Sequence, residues 1–175
     1  MSELFRVRPE RAEDVRAVYE INESAFGRPN EAALVDRLRA NCTDILSLVA
    51  VAIDERIVGH AMFSPATIDC DDGRTIQGMA LGPVAVQPWH QRQGAGGALI
   101  RAGLNELNRR GCPFVLVLGH PEYYPRFGFE PAASRHGIRS QWKVSDPVFM
   151  IRVLNATGIH DARGVSRYRQ EFASE

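Results

Sequence analysis

Apolar and polar positions follow regular but changing patterns along the N-terminal part of the chain. Residues 4–8 alternate between apolar and polar side chains and predict a first strand, which a proline ends. Residues 13–26 carry apolar side chains at helical spacing, with acidic residues in the first turn. Residues 31–39 repeat the helical pattern after Asn30, a residue that can cap a helix. The pattern therefore predicts two short helices joined by a turn that contains glycine and proline, at residues 27–30.

The central part of the chain has the pattern of strands. Residues 46–53 and 57–64 are β-favouring runs on either side of a polar turn and predict an antiparallel pair. We expect Pro65 to end the second run, because proline cannot donate to a ladder. After a hairpin tip at residues 69–74, residues 76–86 predict a further strand.

A strand–helix–strand unit and a last strand complete the predicted elements. The strongest helical pattern, at residues 94–110, has one apolar stripe and a capping glycine after it. Phe114–Leu118 is apolar throughout, as a buried central strand requires. A helical turn is expected at residues 122–127 and a last strand at residues 148–154. This order predicts a mixed α+β domain with one parallel crossover.

Length and charge narrow the class of protein. A chain of 175 residues suits one domain, which we place at residues 4–155, followed by a polar tail at residues 156–175. The 21 basic residues match the 21 acidic ones, so the charge balance gives no support to a nucleic-acid or membrane partner. No apolar run approaches a membrane span and the N-terminus has no apolar signal region, so we expect a cytoplasmic protein. A monomer and a homodimer both remain open.

A Gly-rich turn, hereafter the glycine turn (residues 91–97), joins the predicted strand 76–86 to the helix 94–110. It begins Gln91-Arg92-Gln93-Gly94-Ala95-Gly96. A helix N-terminus offers unpaired backbone N–H groups, and glycines let phosphate oxygens approach them. A Walker loop would need Lys-Ser/Thr after the last glycine, and a dinucleotide loop would start directly at the strand end. Neither fits, so the turn predicts a different phosphate or pyrophosphate site.

The residues of this turn carry a family resemblance. Gln91-x-x-Gly94-x-Gly96 matches the (Arg/Gln)-x-x-Gly-x-(Gly/Ala) signature of the GNAT superfamily of N-acetyltransferases. The order of elements over residues 4–154 also resembles that fold. The segments at residues 58–65 and 118–124 look most like the bacterial YhbS-type branch of predicted acetyltransferases. The resemblance implies a central, mostly antiparallel twisted sheet in which the fourth and fifth strands are parallel and splayed.

The resemblance implies acetyl-CoA as the acyl donor and assigns its binding residues. The backbone of Val84, Ala85 and Val86 would pair with the pantetheine amides like an added strand. Gly82-Pro83 would form the bulge that splays the two parallel strands. The pyrophosphate would bind to backbone N–H groups of the glycine turn: Gln91, Arg92, Gln93, Gly94, Ala95, Gly96 and Gly97. No metal is expected, because the histidines lack metal-ligand spacing.

A second motif supplies a candidate acid. Tyr124 stands four residues before Gly128-Phe129 and resembles the family's Tyr-x-x-x-Gly-Phe motif, in which the tyrosine protonates the departing CoA thiolate. Phenol and thiol have similar pKa values in model compounds, which suits this transfer. Tyr123 is the neighbouring alternative.

The general base is left open by the sequence. An amine acceptor must lose a proton before it attacks the thioester. Many relatives use a glutamate on the fourth strand or its neighbour, but residues 77–86 and 114–118 contain no carboxylate. The alternatives are proton transfer to water or to one of five side chains: His120, Glu122, His60, Glu23 and Glu31.

The acceptor site is only outlined. In the family the first two helices and their loop form one wall of the acceptor site, which corresponds here to residues 26–31. Arg28 could bind a carboxylate of the acceptor, and Glu31 or Glu23 could bind its amine. Residues 134–144 are expected to cover the other side. The sequence thus predicts direct acetyl transfer to a primary amine of a small molecule or peptide. The alternative is a non-catalytic acyl-CoA-binding or sensor domain of the same fold.

Overall fold

The computed structural model describes residues 4–174. The helices and strands of this part of the chain are, in order, β1 (Phe5–Pro9), α1 (Val15–Phe26), α2 (Asn30–Asn41), β2 (Leu46–Ala52), β3 (Ile57–Cys70), β4 (Thr75–Val86), α3 (Ala95–Arg109), β5 (Phe114–Leu118), β6 (Glu130–Pro131), α4 (Ala132–His136), β7 (Ile138–Arg139), β8 (Phe149–Val153) and β9 (Gly164–Arg167). Short 3-10 turns connect several of them. Within the described residues, no helix has the length and apolar character that crossing a membrane requires.

The chain forms two compact units. The first unit contains residues 4–64, 82–103 and 171–174, and the second contains residues 65–81 and 104–170. β3, β4 and α3 each begin in one unit and continue in the other.

The first unit packs two helices on an antiparallel sheet. β1 pairs with β2 from Phe5↔Ala52 to Pro9↔Leu48, and β2 pairs with the first half of β3. The glycine after α1, Gly27, takes a left-handed conformation (φ 68°) and ends that helix before α2 begins. One buried cluster joins the apolar faces of both helices to the inner side chains of β2 and β3: Val18, Leu34, Val35, Leu38, Val49, Val51 and Met62.

The second unit contains the parallel crossover. β4 and β5 pair in parallel from Met79↔Val115 to Leu81↔Val117. β8 lies antiparallel to β5, and β6 pairs with β8 at the far edge. The apolar run of β5 is buried from residue 114 to 117, as its composition predicts. The predicted fold class, a mixed α+β domain with a parallel fourth and fifth strand, is confirmed.

Pro65 does not end β3, contrary to the sequence prediction. The strand continues through it to Cys70. On one edge, β3 pairs with β2 as far as Phe63, and its pairing with β9 starts at Thr67. Pro65 falls between these two ladders, where its missing N–H leaves no hydrogen bond unmade.

The segment predicted as a polar tail contains a strand. β9 pairs antiparallel with β3 from Thr67↔Arg167 to Cys70↔Gly164, and its residues Gly164 and Val165 pair in parallel with β7. Gly164 permits the approach to β3, because a Cβ on it would lie 2.0 Å from the carbonyl oxygen of Asp69. A four-residue strand whose only apolar side chain is that of Val165 has too weak a pattern to be recognised from sequence.

This close approach predicts that Gly164→Ala destabilises the protein. The added methyl group has to push β9 away from the backbone of β3, which we expect to lower the free energy of unfolding by about 1–3 kcal/mol. Urea denaturation measures the change. Thr157→Ala, an exposed substitution in the same segment, should stay within about 0.5 kcal/mol of the parent protein. Equal midpoints for Gly164→Ala and the parent protein would contradict the packing of β9 on β3.

Candidate functional site

The glycine turn lies in the first unit, between β4 and α3. β4 ends at Val86, a 3-10 turn spans Pro88–His90, and α3 begins at Ala95. The side chains from Gln91 to Gln93 and the backbone of Gly94 are exposed. The N–H groups at the start of α3 have no helical acceptor behind them, so the exposed turn presents donors and the positive end of the helix dipole.

Two residues of the glycine turn have positive φ angles. Arg92 has a φ of 62° and Gly94 a φ of 96°. A positive φ is strained for a residue with a side chain, such as Arg92. Glycine has no Cβ, so Gly94 adopts a positive φ without that strain. Nothing lies within 4 Å of a Cβ built on Gly94, so the requirement for glycine there is one of backbone conformation and open space.

Two side chains of the glycine turn bind the backbone that precedes it. The Gln91 side-chain nitrogen donates to the carbonyl of Val86 at 3.1 Å, and that of Gln93 donates to the carbonyl of Trp89 at 3.3 Å. The Gln of the family signature therefore fixes the turn to the end of β4. Backbone N–H groups and the exposed Arg92 remain as the donors for an anion.

The strand before the turn alternates in burial. Ala85 is buried, while Val84 and Val86 are half-buried. In the second unit the parallel ladder of β4 with β5 ends at Leu81↔Val117, directly before Gly82-Pro83. The ladder stops where the predicted splay requires it to stop.

Tyr124 lies in the second unit, in a turn that follows β5. The carbonyl of His120 accepts hydrogen bonds from the backbone N–H groups of Tyr123 and Tyr124, and a 3-10 turn then spans Tyr124–Phe127. Gly128 ends this turn with a φ of 85°, so the glycine of the Tyr-x-x-x-Gly-Phe motif has a conformational role.

Aromatic packing fixes the Tyr124 ring. It makes edge-to-face contacts with Tyr123 and Phe129, at centroid distances of 5.1 and 5.6 Å. Gly119 leaves room for the ring, because a Cβ on it would lie 2.2 Å from Cε2 of Tyr124. Burial, and to a smaller degree Tyr123, raises the pKa of Tyr124 to about 12. At neutral pH the hydroxyl therefore carries its proton. Its pKa is higher than the ordinary phenol value on which the sequence prediction rests, so it is a weaker acid than predicted.

His60, one of the predicted base candidates, is unsuited to that role. It is fully buried in the first unit, with Nδ1 3.1 Å from the amide nitrogen of Asn22 and Nε2 2.8 Å from the hydroxyl of Ser47. Since Asn22 donates, Nδ1 is the acceptor and Nε2 carries the hydrogen that Ser47 accepts. Burial lowers the pKa of His60 to about 3, with the Arg39 charge as a smaller cause. A neutral ring with both nitrogens engaged does not take up a proton at neutral pH.

The other base candidates are placed differently. His120, Glu122 and Glu23 are exposed. Glu31 is buried and forms an ion pair with Arg28, three residues before it. The two charges that the sequence assigns to an acceptor's amine and carboxylate therefore bind each other.

The predicted second acceptor loop, residues 134–144, is tied to other parts of the second unit. His136 lies 2.8 Å from Glu130, and Arg139 pairs with Asp71. Trp142 packs edge-to-face on Tyr168, a residue that sequence reasoning missed because it lies in the segment predicted as a tail. In the described part of the chain, no group of three or more His, Cys, Asp or Glu side chains is arranged to hold a metal ion.

Comparison with known proteins identifies the family. The model of the acetyltransferase (GNAT) domain matches residues 6–132. Two relatives from Escherichia coli K12 are described as uncharacterized N-acetyltransferases. YjhQ is 39% identical over 135 residues (76% of this chain and 74% of YjhQ), and YhbS is 32% identical over 148 residues (85% of this chain and 86% of YhbS).

Solved structures agree with this match. The crystal structure of E. coli YhbS in complex with CoA has a TM-score of 0.90 at 29% identity, covering 99% of this chain and 94% of that one. A GNAT family acetyltransferase from Brucella melitensis in complex with acetyl-CoA has a TM-score of 0.76 at 31% identity, covering 96% of this chain and 97% of that one. The chain belongs to the GNAT family of acetyltransferases. The predictions of that family and of an acetyltransferase are confirmed.

The buried neutral His60 predicts an acid-dependent loss of stability. In the unfolded chain the pKa of a histidine is about 6.5, whereas the pKa of folded His60 is about 3. Between these values the unfolded state binds a proton that the folded state does not bind. The free energy of unfolding therefore falls as the pH is lowered from about 6.5 to about 3, by up to about 1.4 kcal/mol per pH unit from this group.

Urea denaturation at a series of pH values measures this dependence. His60→Asn should be less stable at neutral pH and should show a shallower decline in acid, because it has no imidazole to protonate. The exposed His160→Asn substitution should keep the decline of the parent protein. The same decline in His60→Asn and the parent protein would contradict the assignment to His60.

Proposed function

We propose that this protein is an acetyl-CoA-dependent N-acetyltransferase that moves the acetyl group directly to a primary amine of a small molecule or peptide. The observation that carries the proposal is the exposed glycine turn, with its positive φ at Gly94, between β4 and the start of α3. Support comes from the relatives, whose structures are described in complex with CoA and with acetyl-CoA.

Acetyl-CoA binds in this proposal to β4 and the glycine turn. The backbone groups of Val84, Ala85 and Val86 pair with the pantetheine amides. The pyrophosphate takes backbone N–H groups from Arg92 to Gly97, because the N–H of Gln91 already donates to the carbonyl of Pro88 at 3.5 Å. The side chain of Arg92 adds a positive charge. Gln91 and Gln93 hold the turn in shape through their own hydrogen bonds, so little order has to be gained on binding.

Transfer proceeds by attack of the neutral amine on the thioester carbonyl carbon. A C–N bond forms, and the nitrogen of the tetrahedral intermediate loses a proton to water. The intermediate then collapses, and the C–S bond breaks with the electron pair leaving on sulfur. Tyr124 donates its proton to that sulfur, and bulk solvent returns a proton to the phenolate. The raised pKa of Tyr124 keeps the donor protonated throughout the neutral range.

The proton that the ammonium form loses goes to water or to His120. His120 is exposed, and its carbonyl anchors the turn that carries Tyr124, so its ring is attached to the same turn as the acid. His120→Gln, compared with the exposed His160→Gln, separates the two routes. A fall in kcat confined to His120→Gln supports His120 as the base, and equal kcat values for the two variants support water.

Thiol release from acetyl-CoA tests the proposed function. The parent protein is incubated with acetyl-, propionyl- or succinyl-CoA and amines of different classes, and free CoA is measured. Release that depends on an amine supports the enzyme. If acetyl-CoA stabilises the protein thermally but no amine causes release of free CoA, the result supports the alternative, a non-catalytic acyl-CoA-binding domain.

A matched pair of glycine substitutions tests the donor site. Gly94 and Gly73 have φ angles of 96° and 93°, both are exposed, and neither has an atom within 4 Å of a built Cβ. Alanine therefore introduces a similar backbone strain at either position, of about 1–2 kcal/mol. We expect Gly94→Ala to weaken acetyl-CoA binding about ten-fold, since relief of the strain moves the N–H donors.

Gly73→Ala should lose comparable stability and keep the affinity of the parent protein. Isothermal titration calorimetry with acetyl-CoA measures both Kd values. Unchanged binding by Gly94→Ala would remove the glycine turn from the proposed site.

Removal of one hydroxyl tests the acid. Tyr124→Phe keeps the aromatic packing and should lower kcat about ten-fold or more with an amine that supports thiol release, because the CoA thiolate then leaves without a proton donor. The Kd for acetyl-CoA should change by less than about two-fold. Tyr123→Phe is the control, and it should retain most of the activity. If instead Tyr123→Phe loses turnover and Tyr124→Phe does not, Tyr123 is the acid.

A further inference from the structure

Trp89 is a large aromatic side chain that the first unit leaves in contact with solvent. It is 71% exposed, and it is the most exposed aromatic side chain of residues 4–174. A tryptophan in a folded protein is on average highly buried, because its indole is the largest apolar group that a side chain supplies. Its position is also specific, since it lies directly before the glycine turn.

Hydrogen bonds fix the backbone that carries this indole. Trp89 lies in the 3-10 turn between β4 and the glycine turn. The N–H of His90 donates to the carbonyl of Gln87 at 2.8 Å, and the N–H of Gln87 donates to the carbonyl of Val58 in β3 at 2.8 Å. The carbonyl of Trp89 accepts a hydrogen bond from the side chain of Gln93 at 3.3 Å. The turn is therefore attached to β3 on one side and to the glycine turn on the other.

The indole and the proposed pyrophosphate donors belong to the same short stretch of the first unit. Three peptide units separate Trp89 from Arg92, so their Cα atoms lie at most about 11 Å apart. Residues 75–105 contain no carboxylate, so this stretch of chain does not itself repel phosphate groups. In CoA a single ribose joins the pyrophosphate to adenine. A pyrophosphate on the glycine turn therefore brings the base within reach of the residues that precede the turn.

We propose that the indole of Trp89 stacks on the adenine base of the acyl-CoA donor. This inference rests on the proposed function. Aromatic side chains are general platforms for nucleic-acid bases, because every base has a flat π face. Stacking removes apolar surface of both rings from water. The cost in conformational freedom is small, since an indole has only two side-chain torsions and its backbone is already fixed.

Substitutions of Trp89 measure the contribution of the indole to binding. Trp89→Ala should weaken acetyl-CoA binding about ten-fold, and Trp89→Phe, which keeps an aromatic ring, should stay within about three-fold of the parent protein. Ile53→Ala is the matched control, because Ile53 is 75% exposed and lies in the same unit. It should keep the affinity of the parent protein. Isothermal titration calorimetry with acetyl-CoA gives the four Kd values.

A fluorescent analogue, etheno-CoA, locates the base directly. It differs from CoA only in the base, and an indole that stacks on the etheno base quenches its emission. At saturation, verified by calorimetry, the emission should fall with the parent protein and with Ile53→Ala. It should stay at the value of the free analogue with Trp89→Ala. Trp142→Phe, which removes the second tryptophan of the chain, should still quench.

Three outcomes overturn the inference. If Trp89→Ala binds acetyl-CoA as tightly as the parent protein, the indole does not hold the base. If etheno-CoA is quenched equally by Trp89→Ala, or is not quenched by the parent protein, the adenine lies elsewhere. Both of these results leave the proposed function intact. If the parent protein binds no acetyl-CoA, the proposed function is contradicted and this inference with it.

Discussion

The length of the parallel ladder between β4 and β5 is the constraint on which the arrangement of the chain depends. It covers three residue pairs and ends at Leu81↔Val117, and the next residues of β4 are Gly82 and Pro83. Proline has no N–H for a neighbouring strand, so the sequence itself limits the ladder. In the second unit, the turn that carries Tyr124 follows β5, beyond the end at which this pairing stops.

Backbone geometry supplies most of the proposed donor site. The glycine turn offers exposed N–H groups at the start of α3, and its two glutamine side chains donate to carbonyl groups of the preceding 3-10 turn and of β4. A turn that is already braced loses little conformational freedom when an anion binds. The signature Gln91 thus acts on the shape of the turn, and the glycine at position 94 supplies a φ angle that other residues adopt at a cost.

Burial has opposite chemical consequences at His60 and Tyr124. In both cases removal from water disfavours the charged form of the side chain. For His60 the charged form is the protonated one, so burial leaves a neutral ring that is a poor base. For Tyr124 the charged form is the deprotonated one, so burial leaves a protonated phenol that can donate. One physical effect therefore removes a candidate base and preserves the candidate acid.

Local pattern determined the longer helices and most of the longer strands, the glycine turn, the Tyr-x-x-x-Gly-Phe motif and the family, because each depends on residues that are neighbours in the chain. The predicted helix at residues 94–110 and the strand Phe114–Leu118 agree with α3 and β5 within a residue. Only the tertiary structure decided that Pro65 lies inside β3, and that the segment after residue 155 adds β9 and brings Tyr168 to Trp142. Those outcomes depend on ladders and contacts between residues far apart in sequence, and side-chain periodicity carries no information about which distant partner a strand or a ring will meet.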